Sequence, residues 1–224
     1  VESVIMNYYH YMDKNTFHFD FLCNSYNKIL HHLYKIYIGG TNMYEIIANL
    51  LKESKKTTVI TGDGISIDSQ KIDYKTSVDN QVYNGINLSK LCNKDFDKSD
   101  NNFISYYRNI CKQISLNKPN KAHHIIEEWK NKKIIDLVIT QNIDGYHGIK
   151  NVIELHGNIN NFYCTNCKKK FNSKYYQKSH KCNNGHDNFE KEYTKCNGTL
   201  RPNIVLSGEI PKYLELALFN MYKS

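Results

Sequence analysis

Four cysteines crowd one stretch of the chain: Cys164, Cys167, Cys182 and Cys196. Two thiolates at the Cys164-x2-Cys167 spacing approach one metal ion from a tight turn, which is the first half of a zinc site. The second pair is stretched, with NNGHDNFEKEYTK between its members. A loop of that length can still close over the ion. Four-thiolate zinc is favoured over a mixed set in which His180 or His186 replaces Cys182, and over free buried cysteines. Four protein ligands leave no open position, so such a metal is structural. Cys23, Cys92 and Cys111 are scattered and carry no such signal.

A second group of reactive types precedes the thiols. In TQNIDGYHGIKNVIELHG, the apolar run Ile134 to Ile139 ends in Gln141, Asn142 and Asp144, and the run Val152 to Leu155 ends in His156. Further upstream TTVIT (Thr57–Thr61) runs straight into Gly62-Asp63-Gly64-Ile65-Ser66. A strand, a glycine turn and a polar start are how a phosphate-facing loop begins. Ligands of open parallel sheets sit outside the carboxyl ends of the strands. If the three strands are neighbours, these residues line one crevice, and His156 becomes a candidate base.

The elements that must position them read as α/β. MYEIIANLLK (Met43 to Lys52) has helical periodicity, as does Phe103 to Ile114. Pro119 opens PNKAHHIIEEWKNKK as a first-turn residue, and Ala122, Ile125, Ile126 and Trp129 form its apolar stripe. IIDLVIT then reads as a strand buried on both faces of a parallel sheet. Asp68 to Asn102 is polar and irregular, with a turn signal at Asn84-Gly85, and is expected to be a long loop. Residues 1–40 are expected to be loosely helical or partly disordered.

Bulk numbers set the frame. The chain has 224 residues, 40% hydrophobic and 23% charged, which suits a soluble globular protein. The net charge of +8 would suit an anionic partner. No basic block is interleaved with aromatics, so a nucleic-acid partner is not indicated directly. No apolar run approaches the ~20 residues that span a bilayer, so no membrane partner is expected. Seven cysteines, an odd number, with four in one cluster, argue against a disulfide framework. An intracellular site, nucleus or cytoplasm, is the expectation.

Taken in order, TGDGIS, PNKAHHIIEEW, ITQNIDGYH, VIELHG, CTNC and CNGTLRPNIVLSGE resemble the sirtuins, the NAD-dependent protein lysine deacylases. The similarity runs roughly from Met43 to Pro211. It implies a Rossmann-like parallel sheet with a small inserted zinc-ribbon module. The expected division is an extension over 1–42, the Rossmann-like region over 43–162, the zinc ribbon over 163–199 and a return over 200–224. It also implies NAD as cofactor, structural zinc, and an acylated-lysine protein or peptide as substrate. By resemblance, Gly62, Asp63, Gly64, Ile65 and Ser66 cradle the NAD phosphates, with Tyr74 covering the ribose and Asp73 and Lys75 beside it in the cofactor site. Gln141, Asn142, Ile143 and Asp144 surround the nicotinamide ribose and carboxamide, and Asn142 assists the general base His156. Cys164, Cys167, Cys182 and Cys196 hold the zinc. Val205, Ser207, Gly208 and Glu209 form the strand that pairs with the acyl-lysine peptide.

Departures from the family pattern carry expectations of their own. Asp63 stands where a small residue faces the pyrophosphate, and a carboxylate ~4 Å from a phosphate costs about 1 kcal/mol in water and more where solvent is excluded. It either weakens NAD binding, or turns to solvent or to a neighbouring N–H. Lys75 replaces an arginine fork. Ser207 replaces the phenylalanine wall of the acyl tunnel, which implies a wider or more polar pocket. Strands carrying a Gly-Thr-Ser loop and an adenosine-binding Asn are expected to be missing after Ser224. Two other functions therefore compete: NAD cleavage or ADP-ribosyl transfer, and a catalytically dead binding module.

Overall fold

β-branched and aliphatic stretches at four places along the chain assemble into one parallel sheet. The structure, a computed structural model, describes residues 3–6, 43–69, 81–183, 185–187 and 193–223. Asp73, Tyr74, Lys75, Cys23 and most of the 1–42 extension lie outside the described residues. The elements in chain order begin with β1 (Ser3–Met6), α1 (Met43–Glu53) and β2 (Thr57–Thr61), then a 3-10 helix over Asp63–Ser69. Next come β3 (Val82–Tyr83), β4 (Ile86–Asn87), α2 (Leu88–Leu91), α3 (Asn101–Leu116) and α4 (Lys121–Asn131). β5 (Leu137–Thr140), β6 (Val152–Glu154), β7 (Gly157–Cys164), β8 (Lys170–Asn172) and α5 (Ser173–Lys178) follow. The described chain ends through β9 (Gly185–Asp187), β10 (Tyr193–Lys195), β11 (Leu200–Ile204) and α6 (Leu214–Tyr222).

The parallel sheet has the order β1-β2-β5-β6. Val59 lies opposite Val138 and Ile139 opposite Ile153, and β2 and β5 are almost wholly buried. β5 starts only at Leu137 because Asp136 is spent elsewhere: its carboxylate accepts the Thr57 amide at 2.7 Å and its own amide bonds the Thr57 carbonyl. A second sheet, antiparallel in the order β11-β7-β8, follows directly on β6. Together these give the α/β architecture with a small module built around the thiols. The largest apolar cluster lies between the two parts, where Phe103, Tyr107 and Ile104 of α3 pack with Ile159, Phe162, Tyr176 and Leu200.

Three expectations need correction. Ser3–Met6 is a strand rather than loose helix, because its aliphatic, partly β-branched run pairs in parallel with the edge of β2. The described part of Asp68 to Asn102 is largely structured rather than a long loop. Asn84-Gly85 closes the β3–β4 hairpin with φ of 49° and 80°, and α2 is capped by Asn87 and anchored by Leu88 and Leu91. Pro119 stands outside α4, whose cap is Asn120 with His123 closing a capping box. That cap turns the helix so that His123 and Lys130 are buried beside half-buried Ile126 and Trp129, while Ala122 and Ile125 face solvent.

Candidate active site and metal centre

β2, β5 and β6 are adjacent and parallel, so their carboxyl ends deliver Gly62–Ser66, Gln141–Asp144 and His156 to one place. Asn142 ties the first two segments together. Its side-chain amide donates to the Gly62 carbonyl at 2.9 Å and to Ser66 Oγ at 3.1 Å. Ser66, almost fully buried, donates its single proton to Asp144 Oδ2 at 2.7 Å. His123 Nε2 lies 3.4 Å from the same hydroxyl and must be the donor there, since the serine proton is already committed. Asp144 Oδ1 accepts the Tyr146 amide at 3.0 Å, so both carboxylate oxygens are held. Ile143 packs against the main apolar cluster, and its carbonyl accepts the Ile159 amide.

His156 Nδ1 lies 3.0 Å from the Gln141 carbonyl oxygen. A carbonyl only accepts, so Nδ1 carries the proton and Nε2 keeps its lone pair. Burial pushes this imidazole below the usual histidine range, and the bond to Gln141 partly offsets that. Gly157 secures the bend that follows: its φ is +80°, and a Cβ there would lie 2.1 Å from the Asn203 carbonyl oxygen. The ring is therefore presented as free base at a fixed angle.

Asp63 does not point into the loop. Its side chain is exposed and accepts the Gly64 amide at 2.9 Å, so the carboxylate has turned to a neighbouring N–H. Around it the crevice holds unspent polar groups. Among the described residues no partner takes Asn142 Oδ1 or the Gln141 side-chain amide. Neutral amides, backbone N–H groups and a free-base imidazole suit the carboxamide and hydroxyls of a nicotinamide nucleotide, so the residues present fit NAD.

The thiol centre is equally well defined. The four Sγ atoms of Cys164, Cys167, Cys182 and Cys196 lie within 4.8 Å of one another. Cys164–Cys196 and Cys167–Cys182 are each 3.6 Å apart, too long for disulfides and close to the ~3.8 Å that four thiolates at ~2.3 Å around a tetrahedral ion require. The backbone amide of Lys169 holds the Cys167 thiol down at about 6, with its neighbouring thiols acting in the same sense. Gly198 closes the far side, where a Cβ would come within 2.6 Å of Cys164 Sγ. The donor set fits zinc, and among the described residues no imidazole joins it.

In the third segment, Val205 donates its amide to the His156 carbonyl, which fixes this stretch beside the crevice. Glu209 spends its carboxylate internally. Arg201 Nη1 and Nη2 grip Glu209 Oε1 and Oε2 at 2.6 and 3.0 Å, and Oε2 also accepts the Leu206 amide. Glu209 can therefore meet a substrate only through its backbone. Ser207 is exposed and Gly208 follows it with φ +87°.

Sequence reasoning missed His123, His147 and Arg201. His147 Nε2 lies 2.8 Å from Thr61 Oγ1, while its buried Nδ1 has no partner among the described residues. Burial drives this ring down to about 4, helped by His123 and Lys130. Nothing in the spacing marks it. Arg201 did have a signal: the chain has only two arginines among its 30 basic residues. Arg201 grips Glu209 with its planar fork, while Arg108 donates Nε to the Tyr176 carbonyl.

Residues 62–222, well over half of the chain, match the model of the Sir2 family. The chain belongs to the Sir2 family. It is 33% identical to an NAD-dependent protein deacetylase of Oceanobacillus iheyensis over 74% of this chain and 66% of that one. It is 34% identical to the NAD-dependent protein deacetylase of Saccharolobus solfataricus over 81% and 72% of the two chains. It thus spans about two thirds to three quarters of these relatives' lengths. A solved Sir2 bound to acetylated peptide is similar at a TM-score of 0.60 and 32% identity, covering 81% of this chain and 71% of that one. A Sir2 complex with a p53 peptide and NAD+ has the same score, identity and coverage. In this Sir2 chain, among the described residues, no helix is long and apolar enough to cross a membrane.

Proposed function

We propose that this chain removes acyl groups from protein lysine side chains at the expense of NAD, releasing nicotinamide and O-acyl-ADP-ribose. The observation that carries the reading is the His156–Gln141 hydrogen bond, which leaves Nε2 a free base beside Asn142 at adjoining strand ends. NAD supplies a glycosidic bond whose nicotinamide leaving group makes the sugar carbon electrophilic toward the acyl oxygen. The residues do the rest. Gly62, Gly64, Ile65 and Ser66 hold the phosphates through a loop that Asn142 and Asn120 brace, the latter donating to the Ile65 carbonyl. Asp63 stays outside this contact, and Asp73, Tyr74 and Lys75 remain assigned to the cofactor by resemblance alone, Tyr74 over the ribose. Gln141, Asn142, Ile143 and Asp144 orient the nicotinamide riboside. His156 Nε2 takes the hydroxyl proton whose removal lets the ribose oxygen attack the activated acyl carbon.

Val205, Ser207, Gly208 and Glu209 take the acyl-lysine peptide through the main-chain groups that internal bonds leave free, those of Gly208 among them. Cys164, Cys167, Cys182 and Cys196 hold zinc with no open position, so the metal maintains the module over 163–199 and takes no part in the chemistry. Residues 43–162 with 200–224 then form the NAD-binding part, and the extension 1–42 lends its sheet the strand β1. Four clustered thiols serving as metal ligands support a reducing, intracellular compartment.

The test is incubation of the folded, zinc-loaded chain with an acetyl-lysine peptide and NAD. Nicotinamide and deacylated peptide should appear together, and His156→Ala should abolish both. Silence from the native chain would overturn the reading. Nicotinamide release that needs no peptide would favour NAD cleavage, the alternative that exposed Ser207 supports.

A further inference from the structure

The Val205–Glu209 segment is pinned at every residue but Gly208: Glu209 closes a turn by donating its amide to the Leu206 carbonyl and taking the Leu206 amide on Oε2, and Val205 donates to the His156 carbonyl. Ser207 donates its amide to the Cys92 carbonyl at 3.0 Å and accepts the Lys94 amide at 2.9 Å, and Asn93 pairs with Ser207 in parallel. Among the described residues nothing takes the Gly208 amide or carbonyl. A peptide main chain can bond those two Gly208 groups at the turn, and the side chains nearby then set specificity.

The side chain nearest that turn is Lys94. A Cβ on Gly208 would lie 3.2 Å from Lys94 Cδ and 3.3 Å from Cε, so the lysine stem lies against the glycine and carries its ammonium to the rim. Lys94 is exposed, and its ammonium has no partner among the described residues. The other charges around the turn are committed. Lys98 donates to the carbonyls of Asn93, Lys94 and Phe96, and Arg201 and Glu209 neutralise each other. Asp95 and Asp97 on the same loop act on Lys98.

We infer that Lys94 is a specificity residue, selecting acyl-lysine peptides that carry a carboxylate within a residue or two of the acylated lysine. The inference rests on the reading of Val205–Glu209 as the substrate strand. The chain's net charge of +8 has the matching sign. A partly exposed ammonium–carboxylate contact is worth about two- to fivefold in affinity.

The test uses the zinc-loaded full chain with NAD and three labelled acetyl-lysine peptides, bearing Glu, Gln or Lys at the flanking positions. Glu should exceed Gln, and Gln exceed Lys, in kcat/KM, by about two- to fivefold per step at low salt and less at ~0.5 M salt. Lys94→Gln should flatten the series and Lys94→Glu reverse it. Each ratio is taken within one preparation, so partial misfolding of a variant cancels. The same ratios read as Kd by fluorescence anisotropy need no turnover. Equal values for the three peptides, or an unchanged order in Lys94→Glu, overturn the inference. Ordered Kd values without turnover would support it while overturning the deacylase reading, and failure to bind any of the three overturns both.

Discussion

His156 owes its usefulness to two opposed effects on one ring. Burial disfavours the imidazolium, while the Gln141 carbonyl fixes the proton on Nδ1. With the folded value below the unfolded ~6.5, the acid limb of kcat/KM should fall below pH 6.5. A limb centred above 7 would show that another group controls the reaction. The same sign governs stability. His147, held at about 4, binds its proton more readily unfolded than folded, so stability is full above ~6.5 and declines as pH falls toward 4. Urea midpoints between pH 7 and 5 should drop accordingly. Glu209 tests the opposite kind of residue, one that is charged and gripped. Glu209→Gln leaves the largely buried Arg201 facing a neutral amide and loosens the Leu206 bond, at a cost of about 2 kcal/mol in urea unfolding. A midpoint unchanged from the native chain would mean that the fork is ornamental.

The elements that hold these residues were legible in proportion to how far their patterns were local. β2 was readable to the residue because TTVIT is bounded by a lysine pair and a glycine turn, and β5 only in its last four residues, because Asp136 turns to Thr57. The convergence of Gln141, Asn142 and His156 followed from strand ends alone. The face of α4 was not legible, because Asn120 and His123 set its rotation by capping, and an imidazole took a core position that a count of apolar residues would have given to Ile125. α2 escaped for a different reason: a helix of four residues has too few turns to show a period. Its worth lies in tertiary contact, with Leu91 fully buried against the α3 cluster. Leu91→Ala should cost about 2–5 kcal/mol. Because Cys92 and Lys94 follow it and bond Ser207, peptide affinity should weaken as well. A variant with lowered stability but native peptide Kd would show that α2 does not steady the Ser207 edge.

At the scale of the whole molecule, the metal site and the crevice share a core without sharing a sheet. Cys164 and Cys182 belong to the same apolar cluster as Phe103, Tyr107, Phe162, Tyr176 and Leu200. A separate cluster of Val59, Ile135 and Val138 lies against β2 and β5, with Trp129 and Ile126 of α4 over it. Removing zinc frees four thiolates that repel one another, and the loops that hold them lose their common anchor. The damage should spread as far as packing is continuous, which means into β7, β8, β11 and the α3 residues that touch them, and should stop short of β2 and β5. Chelation followed by hydrogen exchange should strip protection from amides of Phe162, Leu200 and Tyr107 while those of Val59 and Val138 stay protected. β11 leads into the Ser207 edge and Leu206 belongs to the same apolar cluster, so peptide binding should fail before NAD binding does. Uniform loss of protection would mean that the two clusters unfold as one unit, and a fully protected β7 would mean that zinc is dispensable to the fold.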